Sequence, residues 1–331
     1  MTPNEEIACA IRAVAAAAFE RGAEVVIGYQ RAADGLLRPA VLDDPGQVER
    51  LDWDQTCAQN LANFLRRFCE RKVAVVANGC TGRSIAILLT ETQLRRERLE
   101  IIGVPCRGTV DARKVERAFG PFALISPTNG GLRIRTRAGE KELPLEDYLH
   151  ESCRSCRHPE SPIADIRVEG EARRPAGDPL GERIRAWEEK PAAERLAYFR
   201  REMEKCIRCY ACRQACPMCY CETCFVDVNS PRWLGTAPTF TDNAIWNTTR
   251  VYHLTGRCSE CGACDRACPQ GVDLMFLVGK MNREVQALYG SEAGLTVDDK
   301  PAFATFRPDD PDFFWGTEGH AKADKQPGSA R

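Results

Sequence analysis

The chain has 331 residues, 46 basic and 47 acidic side chains and a net charge of −1. That balance argues against a nucleic-acid binder, whose domains carry a basic excess, and no apolar run approaches the roughly 18–20 residues needed to cross a bilayer. The length suffices for two domains with buried cores. The opening Met1–Glu6 is acidic and lacks a basic stretch followed by an apolar one, so a cytoplasmic protein is expected. In that reducing compartment the 18 cysteines point to metal binding and not to a disulfide framework.

The first half reads as α/β with a small parallel sheet. Asn4, Glu5 and Glu6 suit the start of a helix with the apolar stripe Ile7, Ile11, Val14 and Ala18, and Gly22 suits its stop. Two strand patterns, residues 25–29 and 38–42, bracket an Asp34-Gly35 turn. A helix is expected over Cys57–Phe68. The β-branched run Val73–Ala77, a glycine-rich loop, a helical pattern over Ile85–Leu94 and an apolar strand over Leu99–Val104 then make a βαβ unit. The loop Asn78-Gly79-Cys80-Thr81-Gly82 fits neither GxGxxG nor GxxxxGK[ST]. It suits a tight strand-to-helix turn, or a phosphate cradle in which Gly79, Thr81 and Gly82 would hold a flavin. It also places Cys80 at the carboxyl end of one strand, with Cys106 at the same end of the next, where ligands gather in an open α/β sheet. Cys153 and Cys156 form a C-x2-C pair further on.

These elements give an N-terminal domain over residues 1–168. Residues 169–190, rich in Arg, Glu, Pro and Gly, read as a linker. An all-α domain is expected over 191–295, with helices at Pro191–Lys205, at Asn243–Leu254 and between an Asp273 cap and a Gly290 stop. Residues 296–331 read as an extended tail, disordered from about 316.

Eleven of the cysteines fall between Cys206 and Cys268. Cys206, Cys209, Cys212 and Cys216, followed by Pro217, form C-x2-C-x2-C-x3-C-P. The pattern recurs 52 residues later at Cys258, Cys261, Cys264, Cys268 and Pro269, an internal repeat. Three thiolates two residues apart curl a loop around one cubane, and the fourth cysteine passes to the other cluster. The expected 4Fe–4S ligand sets are Cys206, Cys209, Cys212 and Cys268 for one cluster, and Cys258, Cys261, Cys264 and Cys216 for the second. Two successive x2 gaps ending in Cys-Pro do not suit structural zinc. Between the motifs, Cys219, Cys221 and Cys224 are candidates for a further metal, for a thiolate beside a cluster, or for ordinary packing. A fourth ligand for such a metal would have to come from Cys9, Cys57, Cys69 or a shared thiolate. Lys205, Arg208, Arg213, Arg257 and Arg266 crowd the motifs. They would either stabilise a reduced cluster or form a solvated face balanced by Glu204, Glu260 and Asp265. His150, His158, His253 and His320 have no metal-pair spacing and read as structural.

The repeat resembles the bacterial two-cluster ferredoxin motif. Its long spacer is more similar to the α-helical ferredoxin modules of heterodisulfide reductase small subunits and succinate dehydrogenase iron–sulfur subunits. The duplicated Cys-Cys-Gly motif of heterodisulfide-cleaving subunits is missing. In the first half, VAVVANGCTGRSIAILL, IIGVPCRGTVD and CRSCRHPESPIADIRVEG resemble the β subunit of deazaflavin-reducing (coenzyme F-420 type) hydrogenases and formate dehydrogenases. That resemblance covers about residues 20–170. It implies a third 4Fe–4S cluster on Cys80, Cys106, Cys153 and Cys156, beside a flavin such as FAD. The implied function is an iron–sulfur subunit that relays single electrons between partner subunits of a multi-subunit anaerobic oxidoreductase, without a substrate site of its own. The alternative is a flavin-containing subunit that exchanges a hydride with a deazaflavin or nicotinamide.

Overall fold

The computed structural model describes residues 1–120, 124–128, 130–137, 139–299 and 301–304. Most of the expected tail therefore lies outside the described residues, with the disorder placed from about 316 and His320.

Helix α1 (Pro3–Glu20) starts on a capping box made by Thr2 and Glu5, two residues earlier than the Asn4 cap read from sequence. Thr2 offers the shorter side chain that reaches the N3 amide, and Pro3 suits the first turn. Its buried face is Ile7, Ala8, Ile11, Ala15 and Ala18. Strands β1 (Val25–Arg31) and β2 (Leu37–Leu42) form the expected hairpin. The helix expected over Cys57–Phe68 is reduced to the single turn α2 (Ala62–Leu65) and a short 3-10 turn. Asp54 and Asn60 there accept from the backbone amides of Thr56 and Ala62, the local bonding by which such residues compete with a helix.

Strand β3 (Val73–Ala77), helix α3 (Gly79–Thr90) and strand β4 (Leu99–Gly103) make the βαβ unit. The expected glycine-rich loop is absent, because Asn78 caps the helix directly and Gly79 to Gly82 form its first turn. Helix α4 (Ala112–Phe119) precedes a three-stranded antiparallel sheet of β5 (Leu124–Pro127), β6 (Gly131–Thr136) and β7 (Gly139–Pro144). Its small core includes Val115, Ile125, Leu132 and Ile134. No sequence expectation covered this sheet, since its strands are short and carry few apolar residues. Helix α5 (Glu151–Arg154) and strand β8 (Ile166–Arg167) follow. The main sheet has the order β2-β1-β3-β4-β8. It is mixed and not purely parallel, because the hairpin partner β2 runs antiparallel on the edge.

The stretch read as a linker holds helix α6 (Pro179–Glu188), which buries Leu180 and Ile184. With the partly buried Trp187 these make three apolar side chains at helical spacing, enough to dock it although the surrounding composition is polar. The rest is helical: α7 (Ala192–Lys205), α8 (Ala211–Gln214), α9 (Phe240–Leu254), α10 (Ala263–Ala267) and α11 (Leu274–Tyr289). The main core does not stop between the halves. Cys216, Met218, Val251, Leu254 and Val278 pack in the same cluster as the sheet residues Val75 and Ile101. Polar contacts reinforce this seam. Asn63 Nδ2 donates to the Gln214 carbonyl at 2.7 Å, the Ser84 and Ser259 hydroxyls meet at 2.8 Å, and Arg257 pairs with Glu91. No helix among the described residues is long and apolar enough to cross a membrane.

Candidate metal centres

The two cysteine loops share one backbone conformation. Arg208 and Tyr210 in the first, and Glu260 and Gly262 in the second, all have φ between 51° and 69°. These positions are related by the same 52-residue offset as the cysteines. For three non-glycine residues this left-handed geometry costs on the order of 1–3 kcal/mol each, so tertiary contacts must hold it. Two asparagines contribute, one buried and one half-buried. Asn243 Nδ2 donates to the Cys206 carbonyl at 2.7 Å, and Asn282 Nδ2 donates to the Cys258 carbonyl at 3.1 Å. The kinked backbone turns amides inward as an anion-binding nest. The Arg208 amide donates to Cys206 Sγ at 3.4 Å and the Glu260 amide to Cys258 Sγ at 3.3 Å.

The cysteines gather in three groups. Cys206 and Cys268 both act on the Cys212 thiol, and Cys209 lies exposed on the same loop. Cys258 is surrounded by Cys261, Cys216 and Cys264. Each fourth cysteine thus sits with the other motif, because the short helices α8 and α10 carry Cys216 and Cys268 across to the opposite loop. Burial drives the Cys258 thiol well up, and it drives Cys264 up to about 12 against the opposing pull of Arg250. Burial thus favours neutral thiols here. Iron binding must displace those protons, which couples occupancy to pH.

The third group forms at the carboxyl edge of β3 and β4. Cys80 lies in the first turn of α3, Cys106 follows β4, Cys153 is on α5 and Cys156 just after it. All four line one cavity, which Cys261 of the second loop also reaches. The Gly108 amide donates to Cys106 Sγ at 3.4 Å and the Thr109 amide to Cys153 Sγ at 3.3 Å. Burial, reinforced by Cys153, pushes the Cys106 thiol up to about 12. The flavin candidates are placed differently. A Cβ on Gly79 would lie 1.7 Å from the His158 carbonyl oxygen, and one on Gly82 would lie 2.1 Å from Ser161 Oγ. Thr81 is buried, its amide donating to Asn78 Oδ1. These glycines make room for the 158–161 segment seated on them.

The spacer cysteines part ways. Cys219 lies in hydrogen-bond contact with Cys216, Cys224 packs near Arg213, and Cys221 is exposed. Of their candidate companions, Cys57 borders the third cavity and Cys9 is exposed. No three His, Cys, Asp or Glu side chains among the described residues converge on a single metal ion. A four-iron cluster spreads its thiolates over four iron atoms.

Much of the basic crowd is neutralised: Lys205 pairs with Glu202 at 2.7 Å, Arg213 with Asp227 at 2.7 Å, and Arg257 with Glu91. Sequence reasoning missed Arg250. It lies on the buried face of α9 with Asn243, Trp246, Asn247, Val251 and Leu254, and a lone arginine on such a stripe is the signal that could have found it. It is 2% exposed, its Nη2 donates to the Cys212 carbonyl at 3.1 Å, and its Nε and Nη1 meet no partner. A buried cation in that state costs several kcal/mol unless negative charge is supplied. The thiols of Cys264, Cys216, Cys219 and Cys212 surround it. Thiolates holding clusters would supply that charge, so the residues present fit the group.

Beside the third cavity, burial lowers the His150 imidazole to about 2, with repulsion from Arg266 and Arg113 adding to it. An unfolded histidine titrates near 6.5. Below that pH the unfolded chain therefore binds a proton that the folded chain refuses. The stability from neutral His150 is complete above about pH 6.5 and falls by about 1.4 kcal/mol per unit beneath it. Denaturation midpoints should drop between pH 6.5 and 5, and His150→Gln should make that drop shallower by about this slope.

Comparison with known proteins agrees with this layout. Residues 202–272 match the family described as 4Fe-4S dicluster domain, which makes this an iron–sulfur protein. The chain is 28% identical over 116 residues to the F420-dependent formate dehydrogenase subunit beta of Methanocaldococcus jannaschii, covering 35% of this chain and 29% of that one. It is 23% identical over 250 residues to the F420-dependent formate dehydrogenase 1 subunit beta of Methanococcus maripaludis, covering 56% and 63% respectively. The chain thus spans less than two thirds of the length of either relative.

Proposed function

We propose that this chain is the iron–sulfur electron-transfer subunit of a multi-subunit, formate-dehydrogenase-like oxidoreductase in the cytoplasm. It would hold three 4Fe–4S clusters in series. Cys206, Cys209, Cys212 and Cys268 would hold the first, Cys216, Cys258, Cys261 and Cys264 the second, and Cys80, Cys106, Cys153 and Cys156 the third. When bound, each cluster supplies a one-electron redox centre.

The observation that carries this reading is the middle group's contact with both outer ones. Arg250 interacts electrostatically with thiols of the first two groups, and Cys261 lines the cavity of the third. The amide donors to Cys106, Cys153, Cys206 and Cys258 hold the sulfurs in place. Direct exchange of a hydride with a flavin at Gly79, Thr81 and Gly82 would require the His158–Ser161 segment to leave its seat, and we favour single-electron transfer for that reason.

Anaerobically purified protein is expected to contain about 12 iron atoms and as many acid-labile sulfides per chain, on four per cluster. A value near eight would remove the N-terminal cluster. Yellow flavin released from denatured protein would overturn the preference for a chain with clusters alone.

A further inference from the structure

We infer that Arg250 and Arg266 are fixed counter-charges at the two junctions between clusters, and that they make the middle cluster the highest in potential of the three. This rests on the three-cluster reading above and adds an order to it.

Most cations near the cysteines are cancelled locally. Besides the three pairs already described, Arg208 has Asp242 at 3.9 Å, Arg173 pairs with Glu146 at 2.5 Å, and Arg83 and Arg157 share Glu292 at 3.4 and 2.9 Å. A cation beside its own carboxylate adds little net field at a sulfur a few ångströms further on. Arg250 and Arg266 differ, since among the described residues neither makes a salt bridge to a carboxylate: their hydrogen bonds go to backbone carbonyls and, for Arg250, also to the Cys219 thiol. Arg250 donates to Cys212 and leaves Nε and Nη1 without partners among thiols of the first and middle groups. Arg266, on α10 between Cys264 and Cys268, donates through Nε to the Ala58 carbonyl at 2.8 Å. Its Nη1 is buried and unpartnered. That nitrogen lies against the middle loop, where a Cβ on Gly262 would come within 3.0 Å of it. The same side chain lines the cavity with Cys80, Cys106, Cys153, Cys156 and Cys261. Arg250 has no carboxylate partner among the described residues, whereas Arg266 has the neighbouring Asp265, which also acts on Cys264; one guanidinium still stands at each junction, and the middle group adjoins both.

Adding an electron makes a cluster more negative, and a nearby buried cation stabilises that form, raising its potential. The middle cluster, next to two, should be reduced first. An outer cluster, next to one, should follow.

The test is an anaerobic redox titration of the full chain followed by electron paramagnetic resonance. Signals are assigned by their loss in Cys209→Ser for the first cluster and Cys106→Ser for the third. Arg250→Gln, which keeps donors but drops the charge, should lower the first and middle potentials and leave the third in place. Arg266→Gln should lower the middle and third and leave the first. Arg250→Lys should recover most of the Arg250→Gln shift. Iron content, measured on every sample, separates the two levels of the argument. Fewer than three clusters in the unsubstituted chain would defeat the functional reading. Three clusters with a middle potential that is not the highest, or that moves in neither glutamine variant, would overturn the inference. So would equal shifts at all three clusters. If either glutamine variant loses iron, the titration of the unsubstituted chain and of Arg250→Lys still decides, through the rank of the middle potential.

Discussion

Cys216→Ser and Cys264→Ser are each expected to remove the same four or so iron atoms, although one residue belongs to the first motif and the other to the second. The fourth cysteine of each motif stands among the thiols of the other, so ligand loss should follow spatial group and not sequence motif. The pair Cys216→Ser/Cys264→Ser should lose about four irons, no more than either single change, because one cluster of four is already gone. The pair Cys216→Ser/Cys209→Ser should lose about eight. Iron analysis with the resonance spectra reads both. If the pairs behaved the other way round, each motif would be closing its own cluster and the crossed ligand sets would be wrong. Cys209→Ala should also cost solubility, because the thiolates organise a loop that otherwise carries two left-handed residues.

Phe276→Ala should cost about 3–5 kcal/mol and free the segment that composition suggested was a linker. Phe276 is 1% exposed. Its ring lies 5.4 Å from that of Trp187 on α6 and 5.1 Å from that of Tyr198 on α7, with the Arg183 guanidinium 4.8 Å above it. Leu180 and Ile184 complete the cluster. Truncation leaves a cavity where three helices meet, and the aromatic pair contacts disappear with it. The remaining tie is polar: Arg183 and Tyr198 both bind the Asp273 carboxylate, and Arg183 also pairs with Glu151. Chemical denaturation should show the loss, and limited proteolysis should begin to cut within 169–190. Stability and cleavage unchanged from the parent would mean that α6 is held by these polar contacts and not by the apolar cluster.

Both predictions turn on features of different visibility. The crossed cysteine sets we propose rest on spacing, since a C-x2-C-x2-C loop can close on only one cubane. The docking of α6 was hidden because Leu180, Ile184 and Trp187 are diluted by arginines and glutamates that face solvent. The antiparallel sheet β5-β6-β7 was hidden for a similar reason: Leu132 and Ile134 alternate with Arg133 and Arg135, a pattern too short and too charged to stand out even behind the Asn129-Gly130 turn signal. The Gly79–Gly82 stretch misled in the other direction. Its glycines looked like a cradle for a phosphate, and the structure fills that space with His158 to Ser161.

What the amino-acid order determined alone is local. Each of the two cysteine loops, the β3-α3-β4 unit and the capped helix α11 is specified within 31 consecutive residues or fewer, where spacing, caps and β-branched runs act directly on the backbone. What only the tertiary structure decided is which distant groups share a volume. Cys80 and Cys156 line one cavity although 76 positions apart, Arg250 lands between two thiol groups, and Arg266 faces a third cavity from a helix of the other half. Such placements depend on how a continuous core packs, and packing energy is summed over many weak contacts that no short stretch of sequence contains.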